Sequence, residues 1–261
     1  MKKIYITIIS LLVVAAAVFS AFYVTSKNNN QETITKKTLT VGLEGTYAPF
    51  SYRQDGNLTG FEVELAKAVA NEMNYKIKFE QTKWDSLIAG LDAKRYDVVF
   101  NNISKSSERE KSYSFGDAYL YSHTVLIQAQ NSNLNKLADI KAKRFAQSPS
   151  SNYGQTAKKA GAEIVSVPGF SEAISLISSN RADGTLNDLS AFTIWESENN
   201  NTGIKAVSMD DEIEPVAAYP LFTKNNTKLR DKVNVALEKL RDNGVIKELS
   251  EKFFKTDLTE K

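Results

Sequence analysis

The feature that most constrains the fold is a regular alternation of strand-like and helix-like segments that begins near residue 38. Apolar residues recur every four positions from Phe61 to Met73, which predicts an amphipathic helix. The first unit comprises strands at Leu39–Leu43, Lys76–Glu80 and Tyr96–Phe100, with helices at Phe61–Met73 and Trp84–Leu91. This β-α-β-α-β order indicates an open parallel sheet.

The same alternation returns in a second unit. Its segments are strands at Arg144–Gln147, Glu163–Val167 and Gly184–Asn187, and helices at Tyr153–Lys159, Phe170–Ser178 and Leu189–Glu198. Two further strand-like runs, Tyr119–Ala129 and Pro215–Thr223, connect the units, and two helices separated by Asn243-Gly244 follow them. Two α/β units with two crossings predict two lobes that face one another across a cleft. Ligands of open α/β sheets bind beyond the carboxyl ends of the strands, so we expect the site in this cleft.

An uncharged, largely apolar run from Ile4 to Val24 precedes these units, with two lysines before it. The run is long enough to span a bilayer core of about 30 Å, but Ala15-Ala16-Ala17 is also a passable signal-peptide cleavage site. Both interpretations place the rest of the chain outside the cytoplasm, because lysines before the run favour an inside N-terminus. We therefore predict a signal sequence or uncleaved membrane anchor at 1–26 and a polar linker at 27–37.

Charge and residue content exclude several classes of function. The chain has 33 basic and 31 acidic residues, so it lacks the basic surface that nucleic-acid binding needs. It has no cysteine, which removes disulfides, thiolate metal ligands and cysteine nucleophiles. The single histidine, His123, has no acid beside it in sequence, so we expect a structural or surface histidine. The acidic run 210–214 lacks the spacing of a calcium loop, so we expect this run to be a solvated turn. With no phosphate-binding glycine loop and no His/Cys cluster, we expect neither catalysis nor a cofactor or metal.

Polar residues gather where the predicted strands end. Asn101–Arg109 follows one such strand, and Ser106 or Ser107 can cap a helix whose first turn contains Arg109. A guanidinium there can hold a carboxylate through two parallel hydrogen bonds. Arg109 can equally lie on an exposed helix surface beside Glu108. Spacing alone leaves both interpretations open.

Other strand ends carry further candidates. Asp188 ends the run Gly184–Asn187, where it can accept hydrogen bonds from an ammonium group or cap the next helix. Tyr47 and Trp84 can form walls of a small-molecule site or belong to the core. Ser148, Ser150 and Ser151, with Pro149 between them, form a polar turn after another strand. Each signal is weak alone, but their joint placement at strand ends predicts a polar site.

Ordered motifs over residues 38 to 255 resemble family 3 extracellular solute-binding proteins. These motifs are Leu39-Thr-Val-Gly-Leu-Glu-Gly-Thr-Tyr-Ala-Pro-Phe-Ser-Tyr52, Gly60-Phe-Glu-Val-Glu-Leu-Ala66, Trp84-Asp-Ser-Leu-Ile-Ala-Gly-Leu91, Tyr96-Asp97, Ser106-Ser-Glu-Arg109, Arg181-Ala-Asp-Gly-Thr-Leu-Asn-Asp188 and Asp242-Asn-Gly-Val-Ile-Lys-Glu-Leu-Ser-Glu-Lys-Phe253. The resemblance implies an α/β fold, a two-lobed periplasmic-binding-protein-like (type II) clamp with two hinge crossings. Lobe 1 is expected at 38–121 and 216–261, and lobe 2 at 122–215.

The same resemblance implies roles for individual side chains. The arginine matching Arg109 grips the α-carboxylate of an amino acid, and the acid matching Asp188 takes its α-ammonium. The positions expected to line the pocket or offer hydrogen bonds are Glu44, Tyr47, Trp84, Asn101, Asn102, Ser104, Ser148, Ser150 and Ser151. The chain departs from the family pattern at Ser148-Pro149, where a glycine followed by serine or threonine is common. Proline has no N–H, which puts a backbone contact of the second lobe in doubt.

The resemblance also implies partners, namely an amino-acid ligand, an ABC permease and its ATPase subunits, and the membrane through the N-terminal segment. We expect a monomer that binds no nucleic acid. The segments Val41–Tyr47, Leu58–Glu64 and Thr82–Asp85 are most similar to the cystine-binding branch of the family. A cationic or other polar amino acid (arginine, lysine, histidine or glutamine) is the alternative ligand, and a dehydratase or signalling module of the same fold is the alternative function.

Overall fold

The computed structural model of the protein describes residues 37–199 and 203–260. The predicted signal or anchor segment at 1–26, and the predicted linker except for its last residue, lie outside this range. Within the range, no helix is both long enough and apolar enough to cross a membrane.

The elements alternate along the chain much as the sequence predicts. The strands in the described residues are β1 (Thr38–Leu43), β2 (Tyr52–Gln54), β3 (Asn57–Thr59), β4 (Lys76–Gln81), β5 (Val98–Val99), β6 (Tyr113–Phe115), β7 (Leu120–Ser122), β8 (Thr124–Ala129), β9 (Arg144–Gln147), β10 (Glu163–Ser166), β11 (Gly184–Asp188), β12 (Ile204–Ser208), β13 (Val216–Ala218) and β14 (Leu221–Thr223). The helices are α1 (Phe61–Glu72), α2 (Trp84–Asp92), α3 (Ser107–Ser112), α4 (Asn152–Lys159), α5 (Phe170–Ser178), α6 (Leu189–Glu198), α7 (Thr227–Asp242) and α8 (Val245–Phe254), with a 3₁₀ turn at Leu137–Ile140.

Two five-stranded sheets form the two lobes. The sheet of lobe 1 has the order β4-β1-β5-β14-β6, and the sheet of lobe 2 has the order β10-β9-β11-β8-β12. In each sheet three strands are parallel, and the remaining two are antiparallel to their neighbours. The three strands of each predicted β-α-β unit are parallel as predicted, but each five-stranded sheet is mixed, because β14 in lobe 1 and β8 in lobe 2 run opposite to the other four strands. Those strands come from segments near the crossings, where the chain enters a lobe in the opposite direction.

A two-stranded ladder connects the lobes. Strand β7 pairs antiparallel with β13, from Ser122 opposite Val216 to Leu120 opposite Ala218. The chain thus passes from lobe 1 to lobe 2 in β7 and returns in β13, which confirms the two-lobed fold with two hinge crossings. The predicted lobe boundaries, after residues 121 and 215, fall at this ladder.

The core of each lobe lies on both faces of its sheet. In β8, Val125 and Ile127 pack with α5 and α6, while Leu126 between them packs on the opposite face against Phe145. This alternation follows from the two-residue period of a strand. Each fully buried side chain of this size stabilises the fold by about 1.5–3 kcal/mol relative to an exposed one. Two well-filled cores give two rigid bodies that can carry site residues toward one another.

Several predicted strands are shorter or interrupted in the structure. The predicted strand Tyr96–Phe100 is reduced to β5, and the crossing Tyr119–Ala129 divides into β7 and β8 at His123. The run Pro215–Thr223 likewise divides into β13 and β14. Both crossings divide because one end of each pairs in the hinge ladder and the other end joins a lobe sheet.

Candidate functional site

A cavity, partly open to solvent, lies between the two lobes. The carboxyl ends of four strands reach it: β1 ends before Glu44, β5 before Asn101, β9 before Ser148, and β11 contributes Asn187. Nine of the eleven sequence-predicted site residues line the cavity: Glu44, Tyr47, Trp84, Asn101, Asn102, Ser104, Arg109, Ser148 and Ser151. Their placement is an observation, whereas their contact with a ligand remains a prediction.

Arg109 is the buried cation of the cavity lining, with 6% of its surface exposed. It lies in α3, whose first turn is capped by Ser106, because the Ser106 hydroxyl accepts a hydrogen bond from the Arg109 N–H at 3.2 Å. Its Nη1 donates to the Ser104 carbonyl at 3.0 Å. Burial lowers the pKa of Arg109 from its usual value, but a guanidinium stays protonated in a protein. The structure thus favours the buried position over an exposed helix surface.

Arg109 also reaches lobe 2. Nη1 donates to Asn152 Oδ1 at 2.8 Å, and Nη2 donates to the Ser150 carbonyl at 2.9 Å. With the bond to Ser104, these contacts use three of the five N–H donors within the described part of the chain. The Trp84 ring lies 5.7 Å from the guanidinium carbon and orients it. Two donors therefore remain for an anionic group in the cavity.

Glu44 places a carboxyl group in the lining of the same cavity. The Asn101 side chain fixes it from two sides: Asn101 Oδ1 accepts from the Glu44 N–H and Asn101 Nδ2 donates to Glu44 Oε2, both at 2.8 Å. Gly45, with φ of +73°, then turns the chain away from β1. Burial raises the pKa of Glu44 to about 7, partly opposed by the bond from Asn101. A nearby cation would restore full ionisation of this carboxyl.

Asp188 is fully buried and does not line the cavity. Its Oδ1 caps α6 by accepting from the Ser190 N–H at 2.7 Å and the Ala191 N–H at 3.4 Å. Its Oδ2 accepts from Asn102 Nδ2 of lobe 1 at 3.3 Å. Burial raises the pKa of Asp188, opposed by these hydrogen bonds. The structure therefore shows the helix-capping role and places the carboxylate behind the cavity wall.

Glu62 lies beneath the cavity and was not predicted as a site residue. It is fully buried in the first turn of α1, where Oε1 accepts from the Asn102 N–H at 2.5 Å and from the Tyr119 hydroxyl. Its Oε2 has no hydrogen-bond partner among the described residues. Burial raises the pKa of Glu62 to about 7. Glu62 thereby holds Asn102, which has a left-handed backbone (φ 46°), at the edge of the cavity.

Two asparagines that sequence reasoning missed complete the wall of lobe 2. Asn152 accepts from Arg109, and Asn187 Oδ1 accepts from the Tyr47 hydroxyl at 2.7 Å. Phe170 lies edge-on to Tyr47, with ring centroids 6.4 Å apart. Asn187 is adjacent to the predicted Asp188, so its place at a strand end was an available signal. These contacts join the lobes, so the cleft is closed.

His123 pairs with an acid of the run 210–214 away from the cavity. His123 has no acid beside it in sequence, but the fold brings its Nδ1 to 2.9 Å from Asp210 Oδ1. Asp210 is distant in sequence, and the chain brings it there after β12. Both side chains are exposed, and neither lines the cavity. Within the described ranges, no three His, Cys, Asp or Glu residues could together hold a metal ion.

The sequence model of the family "Bacterial extracellular solute-binding proteins, family 3" matches residues 39–256. The chain belongs to this family. A probable amino-acid ABC transporter-binding protein of Haemophilus influenzae is 38% identical, with 100% of each chain covered. The protein is therefore an extracytoplasmic amino-acid-binding protein of the ABC-transporter type and not an enzyme.

Two solved structures are similar to the chain in different ways. The L-cystine solute receptor of Neisseria gonorrhoeae, in the unliganded open conformation, is 42% identical, covers 87% of this chain and 96% of its own, and has a TM-score of 0.59. An ancestral arginine-binding protein bound to arginine is 29% identical, covers 84% and 99%, and has a TM-score of 0.79. The cystine receptor has the higher sequence identity but the lower TM-score. This difference accords with lobes that are open in the receptor and in contact here.

Proposed function

We propose that the cavity binds cystine, and that Arg109 holds one α-carboxylate. The observation that carries the proposal is the charge pattern of the wall. It offers two unused Arg109 donors, the acid Glu44, and a group of amides and hydroxyls. A carboxylate and an ammonium are both costly to bury unpaired, so a zwitterion needs partners of both signs. The 42% identity to the cystine receptor of Neisseria gonorrhoeae supports the same ligand.

Cystine carries a zwitterion at each end, so its pocket needs polar partners beyond one pair. Glu44 can meet a distal ammonium, and the side-chain amides of Asn101 and Asn102 can each donate a second N–H to a distal carboxylate, whereas the Ser151 hydroxyl already donates to the Ser148 carbonyl at 2.8 Å. Asp188 can support an ammonium only if its side chain turns toward the cavity or acts through Asn102. Tyr47 and Trp84 cover the apolar middle of the ligand. Glu44 suits arginine or lysine as well, and the arginine-bound structural neighbour keeps a cationic amino acid as the second candidate.

A thermal-shift screen tests the ligand. Cystine, arginine, lysine, histidine, glutamine and glutamate are compared at equal concentration without reductant, and cystine is expected to give the largest rise in melting temperature. Saturation at a hundred times the dissociation constant stabilises the folded state by about 2.7 kcal/mol. Because the chain has no cysteine, a reductant changes the ligand and leaves the protein unaltered.

The reductant provides the control. It should remove the cystine shift and leave any arginine shift unchanged. A shift with arginine or lysine and none with cystine would refute the cystine proposal while keeping the amino-acid clamp. No shift with any of the six would count against this whole class of ligand for the cavity.

Glu44 gives a second test through protons. If an ammonium group binds beside Glu44, the pKa of this carboxyl falls from about 7, and binding at pH 7 releases about half a proton. Affinity should accordingly decrease as the pH falls below 7. Calorimetry in buffers of different ionisation enthalpy measures the released proton, and Glu44→Gln should abolish the release. Proton uptake would instead place a ligand carboxylate beside Glu44.

The N-terminal prediction is untested by the described residues. The apolar run from Ile4 to Val24 stays a predicted anchor or cleavable signal, and a monomeric state stays a prediction as well.

A further inference from the structure

The turn Ser148-Pro149-Ser150 of lobe 2 lies against the first turn of α2 in lobe 1. The Ser148 and Ser150 hydroxyls both donate to Asp85 Oδ1, at 2.6 and 2.7 Å. The Trp84 Nε1–H donates to the Ser150 hydroxyl at 2.9 Å. One carboxylate oxygen and one indole N–H of lobe 1 are thus paired with two hydroxyls of lobe 2.

The two hydroxyls are held ready for this contact by their own turn. They lie 3.0 Å apart, and the Ser150 N–H donates to the Ser148 hydroxyl at 3.3 Å. Pro149 fixes the backbone torsion between them and offers no N–H of its own. The turn therefore has two side-chain donors, Ser148 and Ser150, and both face the other lobe.

The contact does not need a ligand. Asp85 and Ser150 are absent from the cavity lining and both are exposed, whereas Ser148 also lines the cavity. Hydroxyl-to-carboxylate bonds of 2.5–2.7 Å are of the charge-assisted, stronger kind. A contact that exists only when the lobes touch lowers the free energy of the closed state and leaves the open state unchanged.

We propose that Asp85, together with Ser148 and Ser150, forms a latch across the mouth of the cleft that holds the closed state and slows ligand release. Asp85 is a positioning residue here, because it acts on the lobes and touches no ligand. The proposal depends on binding by lobe closure and not on which amino acid is bound.

Removal of the carboxylate tests the latch. Asp85→Asn is expected to raise the dissociation rate of bound cystine about three- to tenfold, with an association rate close to that of the wild type. Stopped-flow competition measures both rates. If cystine gives no thermal shift, arginine serves as the probe, so that failure of the ligand proposal leaves this test intact.

Asp92→Asn is the matched control. Asp92 lies in the same helix and also accepts from a hydroxyl, Tyr113, at 2.6 Å, but that bond stays within lobe 1. Asp92→Asn should leave the association and dissociation rates of the amino acid unchanged. A purely structural role for Asp85 would lower the melting temperature of the ligand-free protein without a selective change in dissociation.

Two labels, one in each lobe, give a direct measure of closure. The chain has no cysteine, so a pair of introduced cysteines labels uniquely. Asp85→Asn should increase the open fraction in single-molecule distance measurements, with and without the amino acid. The Ser150→Ala and Asp85→Asn effects on dissociation should be less than additive, because both act on the same bond: Ala removes its donor and Asn removes the charge of its acceptor. Unchanged dissociation in Asp85→Asn, equal acceleration in Asp92→Asn, or full additivity would each overturn the latch.

Discussion

Arg109→Ala is expected to weaken amino-acid binding by on the order of 10²–10³-fold, because a buried ligand carboxylate loses its charged partner. Arg109 is nearly buried, and two of its five donors have no partner among the described residues. Arg109→Lys keeps the charge but loses the planar fork, so it should recover only part of the affinity. Titration calorimetry with the amino acid that stabilises the protein most measures the loss.

Arg144→Ala is the control for the loss of one positive charge. Arg144 forms an exposed ion pair with Asp183 at 2.7 Å and lies outside the cavity. Exposed pairs of this kind contribute about 0–1 kcal/mol to stability. Because Arg144 does not line the cavity, the affinity of Arg144→Ala for the amino acid should stay at the wild-type level. If Arg109→Ala bound within about threefold of the wild type, its role as the carboxylate clamp would be wrong.

The fold could be predicted largely because its helices carry strong local signals. The predicted Phe170–Ser178 and Leu189–Glu198 coincide with α5 and α6. Strand β12 was missed, and the antiparallel direction of β8 and β14 was not anticipated. Pairing of such short strands is decided by partners far along the chain, and a local pattern does not contain that information.

The site residues divide in the same way. Arg109 could be found because a helix cap and a strand end are local features. The partnership of Arg109 with Asn152, and of Tyr47 with Asn187, depends on lobe closure, so no sequence spacing indicates it. Asp188 shows what a motif does not contain. It lies at the end of β11, but its oxygens already accept hydrogen bonds from the first turn of α6 and from Asn102.

The sequence could not have indicated that Glu62 is a buried carboxyl with a raised pKa, because its neighbours in sequence are ordinary helix residues. Its burial follows from the fold, which brings Tyr119 and Asn102 against it and leaves Oε2 without a hydrogen-bond partner among the described residues. Glu62 therefore couples the floor of the cavity to the start of the hinge crossing, and its protonation affects the stability of the lobe.

Glu62→Gln is expected to change how stability depends on pH. In the folded state the pKa of Glu62 is about 7, above the ordinary value of 4.5. Between these values the folded protein binds the proton and the unfolded chain does not, so the free energy of unfolding falls as pH rises. The destabilisation that comes from burying the ionised Glu62 carboxylate is fully present above pH 7 and absent below pH 4.5. Relative to Glu62→Gln, the wild type should lose about 2.5 kcal/mol between pH 5 and pH 8.

Urea unfolding at several pH values measures this difference in the ligand-free protein. Because Glu44 also raises the pKa of Glu62, the comparison is repeated in a Glu44→Gln background, where the difference should persist in reduced size. Glu64→Gln removes a partly exposed carboxyl from the same helix and controls for net charge. Parallel curves of stability against pH for the wild type and Glu62→Gln would contradict a buried, proton-binding Glu62. Its carboxylate would then be ionised in both states and stabilised by the bonds from Asn102 and Tyr119.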